Sequence, residues 1–219
     1  GGRWRRLEAP AEQADILGQE ELVKDRVRLL LGRYGVLFRE LLKRELPAFQ
    51  WSRVFRTLRL MELSGEVLAG CFFHGVRGLQ FIAHGAFRDL EKGLPRDAVY
   101  WMCAADPASL AGVEIEGVKE RLPPRLMTTH LVFRGTEPVL ISKRRGKHLD
   151  VRVEPDYPAL TEYLAPLEHL LTREFQPLSS IAVETICEQP AATSPYARRL
   201  EQVFRTVREG PVLRLWKRF

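Results

Sequence analysis

Cysteine is scarce in this 219-residue chain: Cys71, Cys103 and Cys187 are its only three, and they stand far apart. An odd count without short spacings excludes a disulfide framework and a zinc ribbon, and it fits a reducing compartment, the cytoplasm. Long apolar runs are missing as well. None approaches the ~18–20 residues that span a bilayer, so no membrane partner is expected. There is no G-x-x-x-x-G-K-[ST] loop for a nucleoside triphosphate, no G-x-S-x-G elbow, no H-E-x-x-H and no Cys-x-x-Cys pair. The chain is therefore expected to hold no ATP, cofactor or metal of its own. Internal repeats and low-complexity tracts are also lacking. The opening Gly1-Gly2-Arg3-Trp4-Arg5-Arg6 has neither an initiator Met nor the apolar stretch of a signal peptide, and reads as a cut from a longer protein.

What the chain does have is charge. It carries 34 basic and 28 acidic residues, a net +6, on an ordinary globular background of 45% hydrophobic residues. The length suits two small domains or one larger one. The excess is not spread evenly. Residues 1–21 sum to −2, residues 22–94 to +6 and residues 95–219 to +2. One stretch of the chain thus holds the electrostatic footprint for a polyanion, with nucleic acid and an acidic protein surface both suited to it.

The hydrophobic periods divide the chain further. Residues 1–20 look like a polar lead-in. Val23, Val27, Leu30 and Leu31 recur at helical spacing from Glu21, with Gly32 or Gly35 to end the helix. A second helix is expected over 36–44 and a third over 50–64. The period then changes to two, predicting strands at 67–71 and 72–81 with glycine turns, and a short helix at 85–91. Three helices and a β-hairpin in this order make a winged helix-turn-helix at 21–94. From residue 95 to 219 the texture is strand-rich. Strands are expected at 98–104, 131–133, 139–143, 147–153, 181–186 and 212–216, with helices at 157–175 and from Ser194-Pro195 to about Arg205. The expected class is α+β, a winged helix followed by a β-rich, barrel-like α/β domain.

Several residues are candidates for function. On the third helix Arg53, Arg56 and Arg59 fall on one side and Val54, Leu58 and Met61 on the other, as a helix with a buried stripe and a phosphate- or base-reading stripe requires. Leu60 and Leu63 interrupt the basic side. Arg77, between Gly75 and Gly78, would bring a wing arginine to the phosphate backbone. The basic turn Lys143, Arg144, Arg145 and Lys147 is a second, weaker phosphate patch, the alternative being a solvated hairpin tip. Cys71 and His74 have C-x-x-H spacing. On a strand they would face opposite ways, and His84, His130, His148 and His169 are scattered, so no metal site is expected. Asp106-Pro107 suits an N-cap and first helical position, with a catalytic carboxylate as the alternative. Gln13-Ala14-Asp15 has the Gln-x-Asp shape of one class of alkylation-repair glycosylases, but in a polar lead-in.

In four blocks the chain resembles the large helicase-related (Lhr) family of superfamily 2 helicases. The blocks are Gly2-Arg3-Trp4 with residues 30–40 (LLGRYGVLFRE), Met61-Glu62 with Gly65-Glu66-Val67 and the run from Gly70 to Phe81 closing on Gly78-Leu79-Gln80-Phe81, Ala104-Ala105-Asp106-Pro107 with Leu110 and Gly112, and Val183-Glu184-Thr185-Ile186 with Ser194-Pro195-Tyr196-Ala197, Leu200 and Phe204. One departure stands out: Cys187-Glu188 occupies a turn where the family commonly has Asn-Gly. The resemblance implies the C-terminal region of a long-form Lhr protein, beside an ATP- and Mg-dependent 3′-to-5′ motor that unwinds DNA and RNA-DNA hybrids in DNA repair. Expected partners are DNA, single-stranded or duplex, or an RNA-DNA hybrid, and the upstream helicase and winged-helix domains. The region's likeness to winged-helix glycosylases keeps a base-excision module open as an alternative, as does a protein-interaction or homo-oligomerisation domain.

Overall fold

The computed structural model describes residues 15–218. Gly2-Arg3-Trp4 and Gln13-Ala14 lie outside the described residues. The described residues divide into two compact units, one ending at residue 91 and the other starting at residue 92.

In the first unit, helix α1 (Ile16–Tyr34) starts five residues before the expected Glu21, because Asp15 caps it by accepting from Gly18 N at 2.7 Å. Gly35 ends it at φ 72°, a conformation that glycine adopts without penalty. The expected second helix is a strand and then a helix. Val36 and Leu37 form β1 (Val36–Leu37), and α2 covers only Arg39–Leu42. Both β1 side chains are buried, and the strand pairs with residues 81 and 82 of the hairpin, which outweighs continuing a helix past Gly35. A short 3₁₀ turn (Pro47–Phe49) leads to α3 (Trp51–Leu63). Its apolar face is the one the spacing predicts. Val54, Leu58 and Met61 are buried, each contributing about 1.5–3 kcal/mol over an exposed position.

Strands β2 (Val67–Gly70) and β3 (Gln80–Ala83) complete an antiparallel sheet of order β1-β3-β2. They are shorter than expected. Residues 71–79 form the wing loop, so Cys71 and His74 sit on a loop and not on strands. Helix α4 (His84–Lys92) closes the unit.

The second unit is built from two open sheets, where a barrel-like domain was expected. One has six strands: β4 (Val99–Cys103), β5 (His130–Arg134), β6 (Glu137–Lys143), β7 (His148–Val151), β9 (Thr185–Ile186) and β10 (Gln189–Pro190). Its order is β10-β9-β7-β6-β5-β4, with β7 and β9 parallel. The other has β8 (Ile181–Val183), β11 (Arg205–Glu209) and β12 (Val212–Trp216), in the order β11-β12-β8. Closure would require the end strands of a sheet to pair, and β10 and β4 do not. The single strand expected over 181–186 is two. At Glu184 the chain leaves the small sheet for the large one.

Two helical expectations also shift. Residues 158–164 form a 3₁₀ helix before α5 (Ala165–Thr172), because Pro166 has no N–H with which to continue a helical ladder from the preceding turn. Ser194 is extended at the end of a 3₁₀ turn (Ala191–Thr193), so α6 (Ala197–Val203) starts after Tyr196, with no side-chain cap. Strand β11, missed in the sequence, follows at once; its polar Arg-Thr-Val-Arg-Glu hides the alternation. The main core includes Leu140, Leu149, Tyr163, Leu167, Val183, Leu200 and Leu213. On the other face of the large sheet, Ala104, Ala111, Leu131 and Ile141 form a smaller cluster under the loop at 104–129.

Candidate nucleic-acid interface

The buried side of α3 fixes which side chains it presents. Arg53 and Arg56 are exposed and Arg59 is half-buried. They are not equivalent. Arg59 is held by Glu62 one turn along, and Arg56 stands 3.7 Å from Glu20 of α1. Arg53 has no acidic partner among the described residues. The exposed side of α3 thus changes character along its length. Its start is basic, and its end carries Leu60 and Leu63, the latter 78% exposed.

The structure adds two cations that the sequence reading missed. A cleft of about 290 Å³ is lined by Arg39, Leu42 and Lys43 from the α2 region and by Gln50, Trp51 and Ser52 at the start of α3. Arg39 and Lys43 are both exposed, and neither has an ion pair among the described residues. The first turn of α3 holds no acidic residue and receives no side-chain cap, so its positive dipole end is left uncompensated beside them. The signal was present in the sequence: residues 39 and 43 stand at i, i+4 and share a helix face.

The wing is organised by Gln80, a fully buried amide also missed. Its Oε1 accepts from Phe72 N at 3.0 Å and Phe73 N at 2.8 Å. Its Nε2 donates to the carbonyls of Phe73 and Val76 at 3.0 and 3.2 Å. A lone amide in the otherwise apolar Leu79-Gln80-Phe81 was the available clue. Aromatic contacts tie this loop to its surroundings, Phe38 to Phe73 at 6.5 Å and Phe72 to Phe87 at 5.9 Å, while Trp51 of α3 packs 6.0 Å from Phe81. Arg77 is exposed on the wing, without an acidic partner among the described residues.

The other candidates stand on other elements. Asp106 accepts from Ala108 N at 2.8 Å and so caps its own turn. Asp15 caps α1. Among the described residues no group of His, Cys, Asp and Glu has the geometry to hold a metal ion. In the second unit Lys147 pairs with Glu184 at 2.8 Å, whereas Lys143, Arg144 and Arg145 are exposed at the β6–β7 tip. The Lys147 bond, chiefly, holds the Glu184 carboxyl below its ordinary value. No helix among the described residues is long and apolar enough to cross a membrane.

Residues 17–102 match the family model for the winged-helix domain of the large helicase-related protein. The match begins inside α1 and ends in β4, and so takes in the whole surface described above. No curated protein matches the chain.

Proposed function

We propose, from the match of residues 17–102 to the winged-helix domain of the large helicase-related protein, that this chain is the nucleic-acid-binding and assembly module in the C-terminal region of an ATP-dependent 3′-to-5′ helicase of DNA repair. It performs no chemistry itself; ATP and Mg belong to the motor elsewhere in the longer protein. The observation that carries this reading is the gathering of unpaired cations, with Arg39, Lys43 and Arg53 around the start of α3 and Arg77 on a wing fixed by Gln80. Recognition helices contact nucleic acid with their N-terminal residues, and here that end is basic. Each phosphate neutralised releases counterions, with a salt slope of about −0.9 on duplex DNA. Four contacts give a slope of about −3.6.

The reading is tested by duplex binding of the chain, followed by fluorescence anisotropy at 0.1 M salt. The triple variant Arg39→Ala, Lys43→Ala, Arg53→Ala should bind on the order of 10²–10³-fold more weakly, with the loss uniform across sequences. A folded triple variant that binds as the parent does would overturn it. The same comparison on single strands and RNA-DNA hybrids ranks the substrates.

A second role is favoured by Leu60 and Leu63. Exposed apolar side chains at the far end of α3 suit a contact with the upstream helicase or winged-helix domains, the assembly half of the proposal. A base-excision reading receives no such support, since Asp106 is committed to its turn.

A further inference from the structure

The large sheet of the second unit has a face of two halves. Over one half the loop at 104–129 covers Leu131 and Ile141. The other half is polar and holds a cleft of about 300 Å³, lined by Lys143, His148, Leu149, Asp150, Thr185, Cys187 and Glu188. The strand register builds it. Lys143 of β6 lies opposite His148 of β7, which lies opposite Thr185 of β9. His148 Nδ1 and Thr185 Oγ1 are bonded at 2.9 Å within this row, and Asp150 follows two residues along β7 on the same face.

The backbone on both sides of the cleft is strained. Five non-glycine residues among those described have left-handed φ, and four flank this one cavity: Arg144 at 50° and Arg145 at 58°, Cys187 at 47° and Glu188 at 64°. Cys187-Glu188 is a two-residue hairpin turn between β9 and β10, where Asn-Gly would adopt the same angles readily. The strain is fixed in place. Arg145 N donates to Thr128 O at 2.8 Å, and the Cys187 thiol bonds both the N–H and the carbonyl of Val151, at 3.4 and 3.3 Å. Strain that the surroundings over-determine in this way gathers at ligand sites.

The side chains present two chemistries. Lys143, Arg144 and Arg145 form a cationic rim, and none of them has an ion pair among the described residues; the Arg144 charge reaches the cleft's neighbour Glu184. The cleft lining also includes carboxylates. Asp150 is shared with Arg152 at 3.5 Å, and Glu188 is exposed with no ion pair among the described residues. A ligand that satisfies both is an anion joined to a group rich in hydroxyl donors, since a carboxylate can accept from two adjacent hydroxyls at once. We propose that this cleft binds a ribonucleotide, with its phosphate at Lys143, Arg144 and Arg145 and its sugar hydroxyls at Glu188 and Asp150. The site lies within the second unit and does not rest on the winged-helix reading.

The test is a titration of the full chain with AMP, with 2′,3′-dideoxy-AMP and with inorganic phosphate, followed by backbone amide NMR shifts. AMP should give saturable shifts at residues 143–150 and 185–188, and phosphate should reach only 143–145. The dideoxy nucleotide should bind about tenfold more weakly than AMP, the worth of one charge-assisted hydrogen bond. In Glu188→Gln, which keeps the turn's shape and leaves Asp150 in place, that preference should fall while phosphate binding stays as it was. Lys143→Met should weaken all three ligands. The proposal is overturned if a folded chain shows no saturable AMP shift at these residues. It is equally overturned if AMP and dideoxy-AMP bind alike, or if Glu188→Gln keeps the preference.

Discussion

The two units place their unpaired basic residues differently. In the second, many cations are committed to a carboxylate, Arg134 to Asp97, Lys147 to Glu184, Arg208 to Glu201 and Arg214 to Glu209, while Lys143, Arg144 and Arg145 at the β6–β7 tip have no ion pair among the described residues. In the first, Arg28 and Arg33 are committed likewise, to Glu66 and Glu45, but among the described residues Arg26, Arg39, Lys43, Arg53, Arg77 and Arg88 have no ion pair, and Arg39, Lys43 and Arg53 lie about the start of α3. Net charge alone does not separate the units, since each carries +3. Pairing adds a graded bias, because an exposed arginine bonded to a carboxylate gives up about 0–1 kcal/mol when it turns to a phosphate.

The comparison can be sharpened by damaging each unit separately. The largest effect is expected at Gln80. Replacing it with Leu strands two N–H groups and two carbonyls of the wing, costing about 3 kcal/mol and loosening the loop that carries Arg77. Chemical denaturation should show the loss in the first unit only, together with weaker duplex binding. A somewhat smaller loss belongs to the second unit. A Cβ on Gly146 would meet Ile181 Cγ2 at 2.7 Å and Leu167 Cδ2 at 2.9 Å, at φ 91°. Gly146→Ala should cost about 2 kcal/mol and leave duplex binding unchanged.

Acid should separate the units as well. His130 is buried on β5 near Cys103, Ser142, Trp101, His169 and Arg173, and burial above all pushes its pKa below 6.5, helped by the charges of His169 and Arg173. Its unfolded form takes up a proton that the folded form resists. The second unit should therefore keep its full stability above pH 6.5 and lose it as the pH falls from there towards the folded value. Tm measured against pH should show that slope, and His130→Leu should flatten it. The smallest effect is expected from Asp106→Asn. Asn also caps, so stability should change by less than about 0.5 kcal/mol, readable from the denaturation midpoint.

Much of the first unit was legible because its signals are local. Helical spacing gave the buried face of α3, and Gly35 marked the end of α1. What escaped depends on contacts far along the chain. Val36 and Leu37 are a strand only because β3 lies beside them, and the partition at Glu184 exists only because two sheets compete for one segment. Open sheets and a barrel share the same alternation, so closure could not be read from it. At the interface, residue type and spacing found Arg53, Arg56, Arg59 and Arg77. They could not show that Glu20 and Glu62 partly occupy two of these, or that Arg39 and Lys43 close on the start of α3.

The central claim, that unpaired cations and not the basic stripe as a whole make the interface, is tested most directly by comparing two double variants. The salt dependence of duplex binding should be measured for Arg39→Ala/Lys43→Ala and for Arg56→Ala/Arg59→Ala. The first pair should flatten the slope of log affinity against log salt by about 1.8, and the second by less than about 0.5. If the second pair flattens it as much as the first, or the first leaves it unchanged in a folded chain, the account is contradicted.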